Sequence, residues 1–561
     1  MSIRRRRLLT RAAPLGGVAA VAFAVGVVAT TAPGHDERRL VTRYVTAWSH
    51  KEYPSMYGLL DRRSRHEISE PAFASAYRRA AGTATLVGVV PGRVAARVGG
   101  AIAVRMSADT RLFGTLRETL EVPLAGSGSD TRIRFSDVLL FPGLRSGEKL
   151  GRHGVMPPRA DLLARDGTPL AQGPARISPI PDIAGQVVGS LGAIPGAQAA
   201  AYAAEGYPSR TKVGLDGLER IFQRRLAGTP GGTLVAGRRV LGRATPVAGL
   251  PITTTIDPAI ERAAITAMAG RYSGITAMDP RSGGLLALAG VAFSGLQPPG
   301  STMKIITATG ALEAGIVKLD DTFPVMTSAT LDGYSLQNAG GEACGGTFLN
   351  AFAVSCNSVF APLGAKLGGQ RLVNIAERFG FNQPSSIPGA AKSTIPSAST
   401  IGDSLAVGSS AIGQGMVQST ALEMTDVAAT IAMAGRRPVP TLLAHQPPRF
   451  SSVTSGQVAG LVQRMMIAVV QSGTGTADQI PGVSVAGKTG TAELRNTTTP
   501  SSDPNAPAPS SPLNTDSWFV GYAPAGAPRI VVGALFPAQG AGATTAAPAV
   551  HDVLVAALRE P

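Results

Sequence analysis

Three short strings of this chain hold the residue types that a serine acyl transfer needs: Ser301-Thr-Met-Lys304, Ser355-Cys-Asn357 and Lys488-Thr-Gly490. A serine hydroxyl is a weak nucleophile until a neighbouring base takes its proton. The six histidines, His35, His50, His66, His153, His445 and His551, all lie outside these strings, and none stands in a G-x-S-x-G elbow. Lysine is therefore the better base. Lys304 fits that role if burial and the charge of Lys488 lower its pKa enough to leave it neutral. Lysine is also scarce, with only eight among the 52 basic residues, so two of the eight falling in these strings argues against coincidence. Each string alone is weak: Ser301 with Lys304 reads equally well as a helix cap followed by a surface lysine. Their order and combination carry the reading. Metal-dependent hydrolysis has no support, because the chain has no HExxH and only two cysteines.

The elements that must hold these strings are legible in outline. Ile275 to Met278 and Leu285 to Ala289 read as strands joined by the turn Asp279-Pro-Arg-Ser-Gly-Gly284. Pro298-Pro-Gly300 breaks the chain, and the pattern predicts a helix beginning at Ser301 and ending near Gly315. That puts Ser301 at a helix N-terminus, where free N–H groups and the positive dipole end favour negative charge. Lys304 lies one turn on, along the same face. Ala351 to Leu367 reads as one helix with Ser355 and Asn357 near its start. Val483 to Ala486 leads as a strand into Lys488-Thr-Gly490-Thr491, with Trp518 to Gly521 and Ile530 to Phe536 as neighbours. An edge strand bearing lysine and hydroxyls docks a peptide. Asn496 to Asn514, rich in Pro, Ser, Thr and Asn, is expected to be a mobile loop near the site.

At 561 residues the chain is expected to split into two to four domains, and 44% hydrophobic residues allow a sizeable core. The formal net charge is +16, and five arginines fall within the first eleven residues. No arginine–aromatic stripe suited to stacking bases accompanies this charge, which argues against nucleic-acid binding and for a basic surface facing anionic lipid or wall polymer. Pro14 to Pro33 is uncharged, rich in Ala and Val, and about the length a helix needs to cross a bilayer. With the arginines before it, the positive-inside rule leaves the N-terminus cytoplasmic and exports everything after His35. A cleaved signal peptide is the alternative, since Ala29-Thr-Thr-Ala32 is small enough to be cut. A lipid anchor on cysteine is excluded, because the only cysteines are Cys344 and Cys356.

Beyond the anchor, Val41, Tyr44, Val45 and Trp48 recur at helical spacing, a second helical stretch covers Ala72 to Ala80, and Ala101 to Met106 alternates. Together they predict a small α+β domain. Phe141-Pro-Gly-Leu144 reads as its exit, and Met156 to Leu250 as an irregular, extended region.

The three strings resemble the S-x-x-K, S-x-N and K-T-G elements of the penicillin-binding proteins. The likeness extends to Gly413-Gln-Gly415, to Gly487 and Thr491 around the KTG, and to Trp518-Phe-Val-Gly-Tyr522. Upstream, Arg165-Asp-Gly167 with Leu170-Ala171, Gly217-Leu-Glu219 and Thr255-Ile-Asp257 are similar to the pedestal of class B members, although Arg159-Ala160 stands where Arg-Gly is common. The region after the anchor resembles the NTF2-like extension of the methicillin-resistance type.

The resemblance implies an α+β multidomain protein. Residues 1–35 would be a cytoplasmic tail and single transmembrane helix, 36–150 a small NTF2-like domain, 151–255 an irregular pedestal or dimerisation domain, and 256–561 a penicillin-recognising, β-lactamase-like α/β transpeptidase domain. It implies a peptidoglycan D,D-transpeptidase without cofactor or metal. Ser301 would attack the stem peptide and Lys304 act as base, while Ser355 and Asn357 relay protons. Lys488 would be catalytic as well and, with Thr489, receive the substrate carboxylate; Thr489, Gly490 and Thr491 would bind the substrate, and the N–H groups of Ser301 and Thr491 would form the oxyanion hole. D-Ala-D-Ala stem peptides would be the substrate and β-lactams the inhibitors. No glycan-polymerising domain is apparent, so a SEDS-type membrane polymerase is the implied partner. A β-lactamase or β-lactam sensor, or a catalytically idle wall scaffold, are the alternatives. The first lacks the E-x-x-L-N segment of class A lactamases, and the second has every reactive position filled.

In an exported chain the even cysteine count and close spacing predict a Cys344–Cys356 disulfide, with a pair of buried free thiols as the alternative. Cys356 lies between Ser355 and Asn357, so the bridge would brace the second string.

Overall fold

The computed structural model describes residues 34–494 and 511–559. The anchor expected over Pro14 to Pro33 lies outside them, as does most of the loop expected over Asn496 to Asn514. Among the described residues no helix is long and apolar enough to cross a membrane. The chain forms two compact units. One comprises the described residues up to Pro157 together with Ile194–Thr211 and Thr229–Val247, and the other comprises Pro158–Ala193, Lys212–Gly228 and everything from Ala248. Residues of the expected 151–255 pedestal thus contribute to both.

In the first unit, helix α1 (His35–Ser49) buries Val41, Tyr44, Val45 and Trp48, the stripe that its spacing predicts. Helix α2 (Glu70–Ala84) crosses it, and the hydroxyls of Tyr44 and Tyr77 meet at 2.6 Å inside the interface. Both helices supply the core that covers a four-stranded antiparallel sheet of β1 (Leu86–Val98), β2 (Ala101–Thr110), β3 (Gly114–Ala125) and Arg132–Ile133. Along β2 every second side chain, from Ile102 to Ala108, is buried, as a sheet with one covered face requires. A second sheet pairs β4 (Leu150–Val155) with the hairpin of β5 (Gly231–Ala236) and β6 (Arg239–Ala244). That pairing draws part of the pedestal segment into this unit.

The second unit is built on a five-stranded antiparallel sheet. After α3 (Pro258–Met268) come β7 (Gly274–Asp279) and β8 (Gly284–Gly290), then α4 (Lys304–Glu313). An excursion follows, made of β9 (Thr322–Met326), β10 (Ser328–Leu331), β11 (Tyr334–Gln337) and β12 (Cys344–Thr347). Next are α5 (Phe348–Ala353), α6 (Asn357–Leu367), α7 (Ala421–Ala432) and α8 (Gly456–Ser472). Strands β13 (Ala486–Glu493), β14 (Thr515–Ala523) and β15 (Ile530–Phe536) and helix α9 (Ala546–Arg559) end the chain. The strand order is β8-β7-β15-β14-β13, which leaves β13 at the edge.

Both faces of this sheet are covered. Phe519, Ala277 and Val532 face a core shared with α3 and α9, while Trp518, Val520 and Met278 face the larger core of α4, α7 and α8. The central strands are consequently buried on both sides and read as continuous apolar runs.

Two predicted helices need correction. The helix expected from Ser301 starts at Lys304, because Gly300–Met303 is a tight 3-10 turn closed by the Thr302 hydroxyl donating to Pro299 O at 2.7 Å. The single helix expected over Ala351 to Leu367 is two. It breaks between Ala353 and Asn357, where Ser355 adopts a left-handed φ of 63°.

Candidate active site

Three glycines bring the Ser301 turn against the edge strand. A Cβ at Gly300, where φ is +52°, would lie 2.8 Å from Thr491 O, and one at Gly490 would lie 2.8 Å from Pro299 O. A Cβ at Gly413 would collide with Gly300 O, and Gly300 N donates to Gly413 O at 2.9 Å. Backbone thus meets backbone at all three positions, which explains why Gly413-Gln-Gly415 accompanies the other strings. Thr302, Met303 and Lys304 are buried, and Ser301 alone of this string is partly exposed.

Lys304 and Lys488 converge on Ser355. Lys304 Nζ donates to Ser355 O at 2.6 Å and to Asn357 Oδ1 at 2.7 Å, and lies 3.3 Å from Ser355 Oγ. Lys488 Nζ donates to the same Oγ at 2.9 Å and to Thr489 O at 3.0 Å. The left-handed turn at Ser355 makes this possible, since it directs carbonyl and hydroxyl of one residue toward the same amine. Such a conformation in a residue with a side chain is costly and clusters at functional sites. Phe360 and Phe352 lie 5.4 and 5.5 Å from the two ammonium positions and help to enclose them.

Both lysines are fully buried, and among the described residues neither has a carboxylate partner. Burial and then the charge of Lys488 hold the Lys304 amine well below the ordinary lysine value, and burial brings Lys488 down to about 7. An amine whose charged form burial disfavours, beside a serine turn, is suited to accept a proton. No hydrogen bond joins Ser301's hydroxyl to Lys304 in this resting arrangement.

Strand β13 carries Lys488, Thr489, Gly490 and Thr491 along the open edge of the sheet. Thr489 Oγ1 meets Thr474 Oγ1 at 2.5 Å, and Thr491 Oγ1 accepts from Gly542 N at 3.2 Å. Thr474 was not evident from the strings. Its signal is Ser472-Gly-Thr-Gly475, where a Cβ at Gly473 would strike Ala353 O and Thr474 N donates to that oxygen at 3.1 Å. Cys344 and Cys356 are joined in a disulfide with Cα atoms 5.8 Å apart, so β12 is covalently tied to the residue between Ser355 and Asn357. Among the described residues no His, Cys, Asp and Glu cluster is arranged to hold a metal ion.

Residues 273–555 match the penicillin binding protein transpeptidase domain, and residues 164–245 match the penicillin-binding protein dimerisation domain. The peptidoglycan D,D-transpeptidase PbpA of Mycolicibacterium smegmatis is 31% identical over 405 residues, covering 61% of this chain and 77% of that protein. The peptidoglycan D,D-transpeptidase MrdA of Acinetobacter baumannii is 26% identical over 488 residues, covering 75% and 68%. Among solved structures, penicillin-binding protein A of M. tuberculosis in its penicillin G acyl-enzyme complex is similar with a TM-score of 0.56 and 27% identity, covering 72% of this chain and 99% of that one. The D,D-transpeptidase domain of an Eggerthella lenta peptidoglycan glycosyltransferase gives 0.57 and 28%, covering 72% and 98%. With the transpeptidase match spanning half its length and the dimerisation match ahead of it, the chain belongs to the class B penicillin-binding proteins.

Proposed function

We propose that this chain cross-links peptidoglycan as a D,D-transpeptidase through an acyl-enzyme on Ser301, and that β-lactams acylate the same serine. The observation that carries the reading is the meeting of two buried lysines without carboxylate partners on Ser355 Oγ, at 3.3 and 2.9 Å, beside the partly exposed Ser301 turn. Lys304 takes the Ser301 proton as Oγ adds to the carbonyl carbon of the penultimate D-alanine. The negative oxygen is received by the N–H groups of Ser301 and Thr491, whose backbones the Gly300 contact holds together. Each such donor is typically worth about 3 kcal/mol. The C–N bond to the terminal D-alanine then breaks, and the proton returns to the leaving amine through Ser355 Oγ. An amine of a neighbouring stem peptide attacks the ester in the second half of the cycle. Lys488 and Thr489 hold the substrate carboxylate, with Gly490 leaving room beside them.

In a β-lactam the scissile amide lies in a ring, so the leaving amine stays tethered and the ester persists. Ser301→Ala should abolish covalent labelling by fluorescent penicillin while the fold survives, because the change removes a nucleophile and at most about 1 kcal/mol of capping. A mass adduct persisting on the alanine variant would overturn the assignment.

The first unit, with helices covering one face of a curled antiparallel sheet, we read as an NTF2-like extension of the methicillin-resistance type. The arginine cluster and apolar stretch before His35 support a single-pass membrane anchor with the catalytic unit outside the cell. A chain that cross-links without polymerising glycan needs a polymerase beside it, and a SEDS-type membrane enzyme fits that need. Fractionation of cells expressing the chain with and without residues 1–35 tests the anchor: loss of membrane association on truncation is the expected outcome.

A further inference from the structure

The amide of Asn357 has one orientation in which it serves Lys304, and something outside its own helix fixes it. Asn357 Oδ1 accepts from Lys304 Nζ at 2.7 Å, while Nδ2 donates to Gln337 O at 2.9 Å. Flipping the amide would set Nδ2 against the amine and Oδ1 against a carbonyl, two clashes of like polarity. The carbonyl that prevents this belongs to the last residue of β11, and the next residue, Asn338, is built into the fold with both ends of its amide engaged. Asn338 is 5% exposed. Its Oδ1 accepts from Ser358 N at 2.7 Å, and its Nδ2 donates to Met326 O at 2.7 Å and to Glu342 O at 2.8 Å.

Consecutive residues Gln337 and Asn338 therefore grip consecutive residues Asn357 and Ser358. Helix α6 needs this remote cap: its own N-cap position is Cys356, which offers no side-chain hydrogen bond and is committed to the disulfide. The grip bears on the base. A neutral amine carries two N–H bonds, and the two short contacts of Lys304, to Ser355 O and Asn357 Oδ1, take both. Its lone pair is left for a hydroxyl. If the Asn357 amide turns, the amine turns with it.

We propose that Asn338 is a positioning residue for acyl transfer, which fixes the β11–α6 junction so that Asn357 aims the amine of Lys304. This rests on Lys304 being the base for Ser301. Acylation by a fluorescent penicillin, followed by stopped flow and resolved into the binding constant and the first-order acylation rate, tests it on the purified chain. Asn338→Ala should lower the acylation rate about tenfold or more and leave the binding constant within about threefold. In an Asn357→Ala background the same change should cost little further, because the residue it acts through is gone. Asn338→Ser sets no carboxylate against Met326 O and Glu342 O, and its hydroxyl can still donate to one of them. It carries the same test if the alanine variant does not fold, with an equal or smaller loss expected. Full additivity of the two alanine changes, or an unaltered acylation rate in a folded Asn338 variant, would overturn the proposal. Failure of the parent reading looks different: the wild-type chain would then not label, or would label elsewhere than Ser301.

Discussion

Two clusters in the second unit bury charge, and they do it in opposite ways. In one, Glu219, 1% exposed, receives Arg159 Nε on Oε2 at 2.6 Å and Arg176 Nε on Oε1 at 2.7 Å. Arg176 Nη1 also donates to Ala160 O at 2.8 Å. Every charge there meets its opposite. In the other, Lys304 and Lys488 are fully buried with only hydroxyl, amide and carbonyl oxygens as hydrogen-bond partners. The first arrangement pairs each charge and fixes a junction of the polypeptide. The second disfavours ionisation and leaves an amine able to accept a proton. These two clusters thus differ in whether the buried charge is compensated.

The sharpest way to break the contrast is to make the lysine at position 304 permanently charged. Lys304→Arg retains a cation but cannot lose its proton. Acylation by penicillin should fall by about a thousandfold, within the range general-base catalysis supplies. Near-normal labelling would show that another group takes the Ser301 proton. The converse change removes compensation from the scaffold cluster. Glu219→Gln would leave two buried guanidinium groups without their carboxylate, a loss of about 3–5 kcal/mol by analogy with broken buried pairs. Thermal melting should drop markedly, while whatever fraction stays folded should label at close to the wild-type rate. A large fall in rate with unchanged melting would merge the two clusters into one functional system.

Between these lies the disulfide, which touches the catalytic cluster without belonging to its chemistry. Cys344→Ser opens a loop of twelve positions and should cost about 3 kcal/mol in the chain-entropy picture. Since Cys356 separates Ser355 from Asn357, acylation should fall by a modest factor as well, below the loss from Lys304→Arg. Thiol counting on unreduced, denatured protein supplies the control, with no free thiol expected in the wild type. Two free thiols per chain would remove the brace from the account.

What the sequence discloses about these clusters follows from how each does its work. Ser301, Lys304, Ser355, Asn357 and the run from Lys488 to Thr491 stand out in the sequence by residue type and order, and the structure gathers Lys304, Asn357 and Lys488 at Ser355. Strands β7, β8 and β15 were readable because apolar runs bounded by turn residues leave few alternatives. The break before Asn357 was not readable. Its left-handed residue is Ser355 rather than glycine, so composition carries no sign of it and helical periodicity runs straight across. Thr474 and Asn338 act through hydrogen bonds that reach other segments, and a polar residue in a turn looks the same whether or not it has such partners. The division of residues 151–255 between two units depends on β4 pairing with β5 across a long gap in sequence, a register that no local pattern encodes.

The smallest expected effect is the one that separates the two clusters by their protons. Lys488 titrates at about 7 in the folded chain, against an ordinary value of 10.5, and burial is the cause. Between those values the unfolded chain binds the proton and the folded chain releases it, so stability rises with pH across that window. Below about 7 the full cost of burying an ammonium is present, and above 10.5 it has gone. From pH 7 to 8 the gain from this one group is on the order of 1 kcal/mol. Lys488→Met removes the group, so the variant should melt above the wild type at pH 6 and its advantage should shrink toward pH 9. Glu219→Gln should show no comparable convergence, because a guanidinium group, unlike a lysine amine, does not lose its proton in this pH range. A constant gap between Lys488→Met and wild type from pH 6 to 9 would mean that Lys488 stays charged in the folded chain. The contrast between compensated and uncompensated burial would then hold for Lys304 alone.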